Sequence, residues 1–338
     1  MNTKNKYLLY SILILTFFFL WNFKLIIYGA SQLKGQVAIL AASEEIETVL
    51  NYPDFPDSLK SKLRLVQQIK QFAIDSIGLT SSNAYETVYN QRGKASLKII
   101  TACKPFELED YTWTFPLLGE VSYKGFFNEE MLTEEANKIR ELNYDISIDE
   151  ITAWSTLGWF KDPILTNFLN RSDGMLSNLI IHELTHGTIY IKNDVYFNEN
   201  LANFIGDEGA KCFLKSAFGA SSIEYKNYLQ RMKDKKILTD FVVAKADNLD
   251  SLYQTFEPQI DLESKKDIKH QFMLDFINQL AQLPIDNIIR YTPKIEKLNN
   301  TYFQSFRRYN ANLDFFKQDY KKYNNLSEYI KHIKNHYR

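Results

Sequence analysis

Two histidines four residues apart lie within an apolar stretch near the middle of this 338-residue chain. The stretch reads Leu179-Ile180-Ile181-His182-Glu183-Leu184-Thr185-His186. Residues four apart on a helix project from one face, so the ring nitrogens of His182 and His186 can converge on one metal ion. Neutral imidazole binds zinc well, and the adjacent Glu183 carboxylate can take a proton from a zinc-bound water. The pattern therefore predicts a helix that carries two zinc ligands and a general base.

A zinc site of this kind needs a third protein ligand and an open fourth position. Glu199 lies downstream, between Phe197 and Leu201, where apolar residues recur with helical spacing. We therefore expect Glu199 to project from a second helix that faces the first. Glu208 is the rival third ligand, but its glycine-flanked stretch, Gly206–Gly209, is more typical of a solvated helix end.

The combination of His-Glu-x-x-His with a downstream Asn-Glu-x-Leu-Ala resembles the gluzincin zinc peptidases. The resemblance implies that His182, His186 and Glu199 bind Zn²⁺ and that Glu183 is the catalytic base. It also puts Asn203 where thermolysin-like relatives have an acidic partner for a zinc histidine. An Asn oxygen can accept that N–H bond, but without the charge that raises the basicity of the ligand.

Residues 7–21 form an uncharged apolar run that follows Lys4 and Lys6. Extended to Tyr28, the run is long enough to cross a membrane. The small-x-small pattern Gly29-Ala30-Ser31 lies beyond the apolar core, so an uncleaved transmembrane helix is favoured over a cleaved signal peptide. The two lysines favour an inside amino terminus. We therefore expect membrane anchoring, with the catalytic part on the extracytoplasmic (periplasmic) side of a bacterial inner membrane.

The rest of the sequence predicts a predominantly helical α+β fold. Helical spacing dominates residues 32–78 and the chain after Ala210, whereas strand-like segments occur between residues 97 and 154. The predicted strands are Leu97–Ala102, Tyr111–Phe115, Gly119–Phe127 and Ile146–Trp154, and a short helix is predicted at Ile164–Leu169. A zincin-like arrangement follows, with a small mixed sheet before the zinc helix. Zincins bind extended peptides along an edge strand, for which Gly119–Gly125 and Trp154–Gly158 are the candidates.

The predicted division of the chain has three parts. Residues 1–30 form a cytoplasmic stub and membrane anchor, or a signal. Residues 31–175 form the helical and sheet part of the catalytic domain, and residues 176–338 the zinc-binding and carboxyl-terminal helices. The 40 Lys and Arg balance 41 Asp and Glu, so the charge gives no reason to expect nucleic acid binding. Cys103 and Cys212 belong to no Cys-x-x-Cys pair and are interpreted as buried free thiols, with a single disulfide as the alternative.

A series of short motifs precedes the His-Glu-x-x-His segment. In order, they are Phe115-Pro116-Leu117-Leu118-Gly119, Tyr123-Lys124-Gly125-Phe126-Phe127, Ser155-Thr156-Leu157-Gly158-Trp159-Phe160 and Asp162-Pro163. With Gly35-Gln36 and Asn299-Asn300, the series resembles a bacterial family described as predicted aminopeptidases, over most of the chain beyond the apolar run. Glu120 and Trp154 depart from the Cys and Tyr of that pattern. Many relatives carry a lipid-anchored cysteine after the signal, but this chain has no cysteine before Cys103.

These patterns predict zinc-dependent hydrolysis of a peptide or protein substrate, with a membrane-anchored aminopeptidase as the leading interpretation. A zinc endopeptidase of the same class and a non-catalytic envelope binding protein with a zincin fold are the alternatives. The oxyanion of the tetrahedral intermediate needs a hydrogen-bond donor, for which Tyr302, Tyr309 and His270 are candidates. An exopeptidase also needs an acid that holds the substrate amine, for which Glu120 and Glu208 are candidates.

Overall fold

Helices make up most of the structure, as the sequence predicts. The computed structural model describes residues 22–93, 97–115, 119–150, 161–192, 194–309 and 313–336. The helices are, in chain order, α1 Phe23–Ala41, α2 Ile46–Leu50, α3 Asp57–Phe72, α4 Glu129–Glu141, α5 Asp173–His186, α6 Val195–Phe218, α7 Ile223–Gln254, α8 Leu262–Leu280, α9 Asn300–Tyr309, α10 Leu313–Tyr320 and α11 Leu326–His336. A π-helical turn, Ala73–Ile77, extends α3.

The strands of the described residues all precede α5 and form small sheets. They are β1 Glu44–Glu45, β2 Thr87–Tyr89, β3 Lys98–Cys103, β4 Trp113–Phe115, β5 Gly119–Val121, β6 Tyr123–Phe126, β7 Asp145–Glu150 and β8 Ile164–Leu165. A mixed sheet has the order β1-β2-β8, an antiparallel sheet has the order β6-β3-β7, and β4 pairs with β5. The predicted short helix at Ile164–Leu169 is instead β8 followed by a 3₁₀ turn, Thr166–Asn170.

The predicted transmembrane helix is wrong. Among the residues that the structure describes, no helix is both long and apolar enough to cross a membrane. Residues 7–21 lie outside the described residues, and Phe23–Tyr28, predicted to end the span, instead begins α1. This helix packs on the sheet, because the Tyr28 hydroxyl donates to the Gly125 carbonyl (2.9 Å) and a Cβ on Gly35 would lie 2.2 Å from the Phe127 ring. The membrane-anchored, extracytoplasmic location was predicted from this helix and is therefore also wrong.

Helix α5 runs through the main hydrophobic core. Leu176, Ile180, Ile181 and Leu184 are buried, and they belong to a hydrophobic cluster that also holds apolar residues of α3, α6 and α11. A second core lies between α7, α8 and α9. Helix α7 contributes to both cores, because Tyr228 near its start belongs to the first and residues from Leu238 onward belong to the second. This long helix therefore joins the region of the paired histidines to the carboxyl-terminal part of the chain.

A buried asparagine ties α7 and α9 to the antiparallel sheet. Asn300 is 0% exposed, and its Nδ2 donates to the carbonyl oxygen of Lys104 (2.8 Å) beside the end of β3. Its Oδ1 accepts from the Tyr253 hydroxyl of α7 (2.7 Å), and its backbone N–H donates to an Asp145 carboxylate oxygen of β7 (3.0 Å). Lys269 of α8 pairs with the same carboxylate. The Asn299-Asn300 motif therefore has a structural role, because one side chain satisfies buried polar groups of several elements.

Asn300→Ala should lower the free energy of unfolding by about 2 kcal/mol, because it leaves the Tyr253 hydroxyl and the Lys104 carbonyl without this partner. Urea unfolding followed by circular dichroism measures the change. The matched control is Asn137→Ala at an exposed position of α4, which should change stability by no more than about 0.5 kcal/mol. Equal effects of the two substitutions would contradict the structural role of Asn300.

Candidate metal centre

The amino-terminal end of α5 is fixed by a cap and by α3. Ser172 is the N-cap, and its side chain accepts a hydrogen bond from the backbone N–H of Met175. Such a cap satisfies one of the free N–H groups at the start of a helix. Lys62 of α3 pairs with Asp173 in the first turn and donates to the carbonyl oxygen of Arg171 (2.7 Å). These contacts set the direction in which α5 carries its histidines.

The connection between α5 and α6 is held by a buried asparagine that the sequence analysis missed. Asn198 is 3% exposed, and its side chain accepts from the Ile191 N–H (2.8 Å) and donates to the Ile191 carbonyl (2.7 Å). Asp194 caps α6 by accepting from the Phe197 N–H (2.9 Å). Glu199 follows Asn198 directly, so the hydrogen bonds between Asn198 and Ile191 fix the helical turn from which the Glu199 carboxylate projects. Its only sequence signal is the position of Asn198 within Phe-Asn-Glu.

Helices α5 and α6 pack closely because glycines of α6 face α5. A Cβ on Gly206 would lie 3.1 Å from the Asn178 carbonyl and 3.2 Å from the His182 Cβ, and a Cβ on Gly209 would lie 2.8 Å from the Ile181 side chain. Gly206–Gly209 is therefore internal to α6, and its prediction as a solvated helix end is wrong. Glu208 in this stretch pairs with Lys211.

The close packing brings His182, His186 and Glu199 into one group that can hold a metal ion, which we call the metal-ligating group. The two Nε2 atoms are 3.2 Å apart, Glu199 Oε2 lies 3.6 Å from Nε2 of His182, and Glu199 Oε1 lies 3.5 Å from Nε2 of His186. A tetrahedral ion with bonds of about 2.1 Å holds its ligand atoms about 3.4 Å apart. Two imidazoles and one carboxylate with these separations therefore fit three corners of a tetrahedral site.

Burial and charge shift the pKa values of the three side chains. Burial opposes the charged form of His182, but the Glu199 and Glu183 carboxylates outweigh it and raise the pKa of this imidazole. Burial and the nearby His182 lower the pKa of His186 to about 4. Burial opposes ionisation of Glu199, yet its contacts with the two histidines hold the pKa of the carboxyl below its usual value. At neutral pH His186 is therefore neutral and Glu199 is charged, as metal binding requires.

Glu183 lies on α5 beside the group and is 9% exposed. Its carboxylate acts electrostatically on His182 and on Tyr85, a residue that the sequence analysis did not single out. Tyr85 is 2% exposed, and burial together with the Glu183 and Asp162 carboxylates raises the pKa of its hydroxyl well above the usual value. The tyrosine therefore keeps its proton near the proposed base. No sequence signal separates Tyr85 from the other 20 of the 21 tyrosines.

The other predicted site residues do not join this group. No hydrogen bond joins Asn203 to either histidine among the described residues. Tyr302 lies in the second core, where burial raises the pKa of its hydroxyl to about 12, and His270 is exposed on α8. Glu120 is exposed on β5. Of the two candidate edge segments, Gly119–Gly125 falls in β5 and β6, whereas Trp154–Gly158 lies outside the residues that the structure describes. The Tyr309 side chain also lies outside the described part of the structure.

Both cysteines are free thiols, which excludes the disulfide alternative. Cys103 is buried, and burial raises the pKa of its thiol to about 12. Cys212 is exposed, so the prediction of a buried thiol is correct for Cys103 and wrong for Cys212. Neither thiol belongs to the metal-ligating group.

A comparison with protein families found a match over nearly the whole chain. The model of a family described as putative aminopeptidase matches residues 27–337. The comparisons with curated proteins and with solved structures found no significant match. The matched range includes both helices of the metal-ligating group and the helices that follow them.

The purified protein should hold one divalent metal ion per chain, and Glu199→Ala should weaken metal binding more than about 100-fold, because even partners of metal ligands contribute 10- to 100-fold. Metal titration with elemental analysis measures both quantities. Glu208→Ala is the matched control, since Glu208 lies on the same helix and pairs with Lys211. Loss of metal in Glu208→Ala with retention in Glu199→Ala would reverse the assignment of the third ligand.

Proposed function

Because the chain belongs to the family described as putative aminopeptidase, we propose that it is a zinc-dependent aminopeptidase whose metal ligands are His182, His186 and Glu199. One observation carries the zinc assignment. The two histidine Nε2 atoms lie 3.2 Å apart, one Glu199 oxygen lies 3.6 Å from that of His182, and the other Glu199 oxygen lies 3.5 Å from that of His186. These distances are close to the edges of a tetrahedral site. Membership of the family supports peptide hydrolysis in general. The arrangement of His182, His186 and Glu199 supports a metal ion as part of the catalytic site.

The donor set favours zinc over Mg²⁺ and Ca²⁺. Catalytic zinc sites use three protein ligands of the His and Glu types and leave a fourth position open. Mg²⁺ and Ca²⁺ prefer oxygen ligands, which a group with two imidazoles does not supply. In such a site the bound ion supplies Lewis-acid activation of the scissile carbonyl and of water.

The chain's own residues supply the proton transfers. Glu183 follows His182 on α5, and we assign its carboxylate as the general base that takes a proton from water and passes it to the leaving amine. Its low exposure keeps the carboxylate away from bulk solvent. In such a buried position a charge interacts more strongly with a nearby proton donor than it would in water. His186, with its lowered pKa, stays neutral over the pH range in which such a base works.

Glu183→Gln should lower kcat by about 100- to 10,000-fold, since a general base contributes that much, while the zinc content stays at the wild-type level. Hydrolysis of amino-acid anilides and elemental analysis of the same preparations measure the two quantities. Glu208→Gln is the matched control for removing a carboxylate. Unchanged hydrolysis in Glu183→Gln would remove the base assignment, and a wild-type protein with bound zinc but no hydrolysis would contradict the enzymatic proposal.

An aminopeptidase should cleave substrates with a free amino terminus at least about 100-fold better than amino-acetylated ones, because a buried group that binds the amine is left unpaired by the blocked substrate. Paired peptides that differ only in the acetyl group, followed by chromatography, measure this ratio. A ratio near one, with cleavage at internal bonds, would identify an endopeptidase of the same class.

A further inference from the structure

A cleft of about 420 Å³ lies beside the metal-ligating group. Asn178 and Asn203 line it, and they are one helical turn from His182 and Glu199 respectively, about 6 Å along each helix axis. A Cβ on Gly206 would lie 3.1 Å from the Asn178 carbonyl and 3.2 Å from the His182 Cβ, so Asn178 and His182 lie against the same part of α6. The cleft is therefore next to the residues of α5 and α6 that can hold a metal ion. Its volume is within the range of small-molecule sites.

Two cations of α7 line the cleft. Arg231 and Lys235 are four residues apart, so they project from the same face of the helix. Arg231 donates hydrogen bonds to neutral groups: its Nε donates to the Met175 sulfur (2.8 Å) and its Nη1 to the Tyr291 hydroxyl (3.5 Å). Within the described ranges, no carboxylate lies within 4 Å of either cation. The guanidinium is therefore held in position while its charge is not neutralised by an ion pair.

Asp207 is the acidic residue that lines the cleft, and its hydrogen bonds hold neighbouring helices together. Its carboxylate accepts from Asn178 Nδ2 of α5 (2.8 Å) and from the Tyr228 hydroxyl of α7 (3.1 Å). It is eight residues beyond Glu199, about 12 Å along α6, which is too far to hold an amine next to the scissile bond. The cleft therefore has two cations and one carboxylate, and its net charge favours an anion.

We propose that this cleft binds the free α-carboxylate of a short peptide substrate, with Lys235 and Arg231 as the recognising residues. This inference rests on the proposed function. In an aminopeptidase the substrate carboxylate lies on the leaving-group side of the scissile bond. Asn178, Asn203 and Asp207 of the cleft lie one to two helical turns, about 6 to 12 Å, from His182 and Glu199 along their helices. A chain spans about 3.5 Å per residue, so a carboxylate in the cleft belongs to a peptide with one to three residues after that bond. The expected substrates are di-, tri- and tetrapeptides.

An acidic side chain of a longer peptide presents the same carboxylate chemistry. Arg231 and Lys235 suit either source, because both offer N–H donors to a carboxylate oxygen. The two sources differ in where the charge sits on the substrate. Only the α-carboxylate is removed when the peptide is made as a carboxyl-terminal amide. Substrate pairs can therefore tell them apart.

The experiment compares Leu-Ala-Ala with its carboxyl-terminal amide on the full-length zinc-loaded protein. The wild type should prefer the acid by about tenfold or more in kcat/KM, mainly through KM, because a charge-assisted hydrogen bond is lost in the amide. Lys235→Met and Arg231→Gln should each reduce the acid-to-amide ratio towards one, and Lys235→Arg should keep it. Lys233→Met is the matched control, since Lys233 is exposed on α7 outside the cleft and should leave the ratio unchanged.

Two results would overturn the proposal. Equal hydrolysis of the acid and the amide by the wild type would show that the α-carboxylate is not recognised. A higher kcat/KM for Leu-Glu-Ala amide than for Leu-Ala-Ala would show that the cleft selects an acidic side chain instead. Titration of the acid and the amide into Glu183→Gln protein by calorimetry measures recognition without turnover. Tighter binding of the acid there would support the cleft assignment even if the wild type hydrolysed neither peptide, so failure of the proposed function is distinguishable.

Discussion

The close contact between α5 and α6 is the constraint on which the metal-ligating group depends. Two histidines on α5 share a face because of helix periodicity alone, but Glu199 reaches them only if the second helix lies near the first. Gly206 and Gly209 allow that approach, since a Cβ at Gly209 would lie 2.8 Å from the Ile181 side chain. Glycine within a helix costs about 1 kcal/mol relative to alanine. The chain accepts this cost at two positions, and the ligand atoms then lie within 4.8 Å of one another.

Burial gives the group protonation states that a metal site needs, with one exception. A buried charge is costly unless a partner compensates it. The Glu199 carboxyl remains ionised because the histidines lie beside it, and His186 remains neutral because burial and its neighbour disfavour its charged form. His182 alone has a raised pKa, since two carboxylates face it. A divalent cation in this position would compensate the same two carboxylates, so metal binding and protonation of His182 exclude each other.

The sequence predicted the local features well and the non-local ones poorly. Helical periodicity and spacing were sufficient to group His182, His186 and Glu199, because all three depend on two helices that are consecutive in the chain. The anchor prediction failed because hydropathy cannot show that Tyr28 contacts Gly125, a residue 97 positions away. Tyr85 and the cations of the cleft were missed for the same reason, and the Asn299-Asn300 motif was noticed but its structural role was not. The environment of these residues is formed by elements distant in sequence, which helical or strand periodicity does not reveal.

Helix α7 connects the cleft to the metal-ligating group through a short set of contacts. Asp207 of α6 accepts hydrogen bonds from Asn178 of α5 and Tyr228 of α7, so one carboxylate holds three helices together. The Tyr228 ring also packs against Gly174, where a Cβ would lie 2.4 Å from it. Burial and the Asp207 carboxylate raise the pKa of the Tyr228 hydroxyl well above its usual value, so it remains a donor. His182, His186 and Glu199 therefore lie on α5 and α6, whereas the contacts of Tyr228 hold α7, which carries the cations of the cleft, against these two helices.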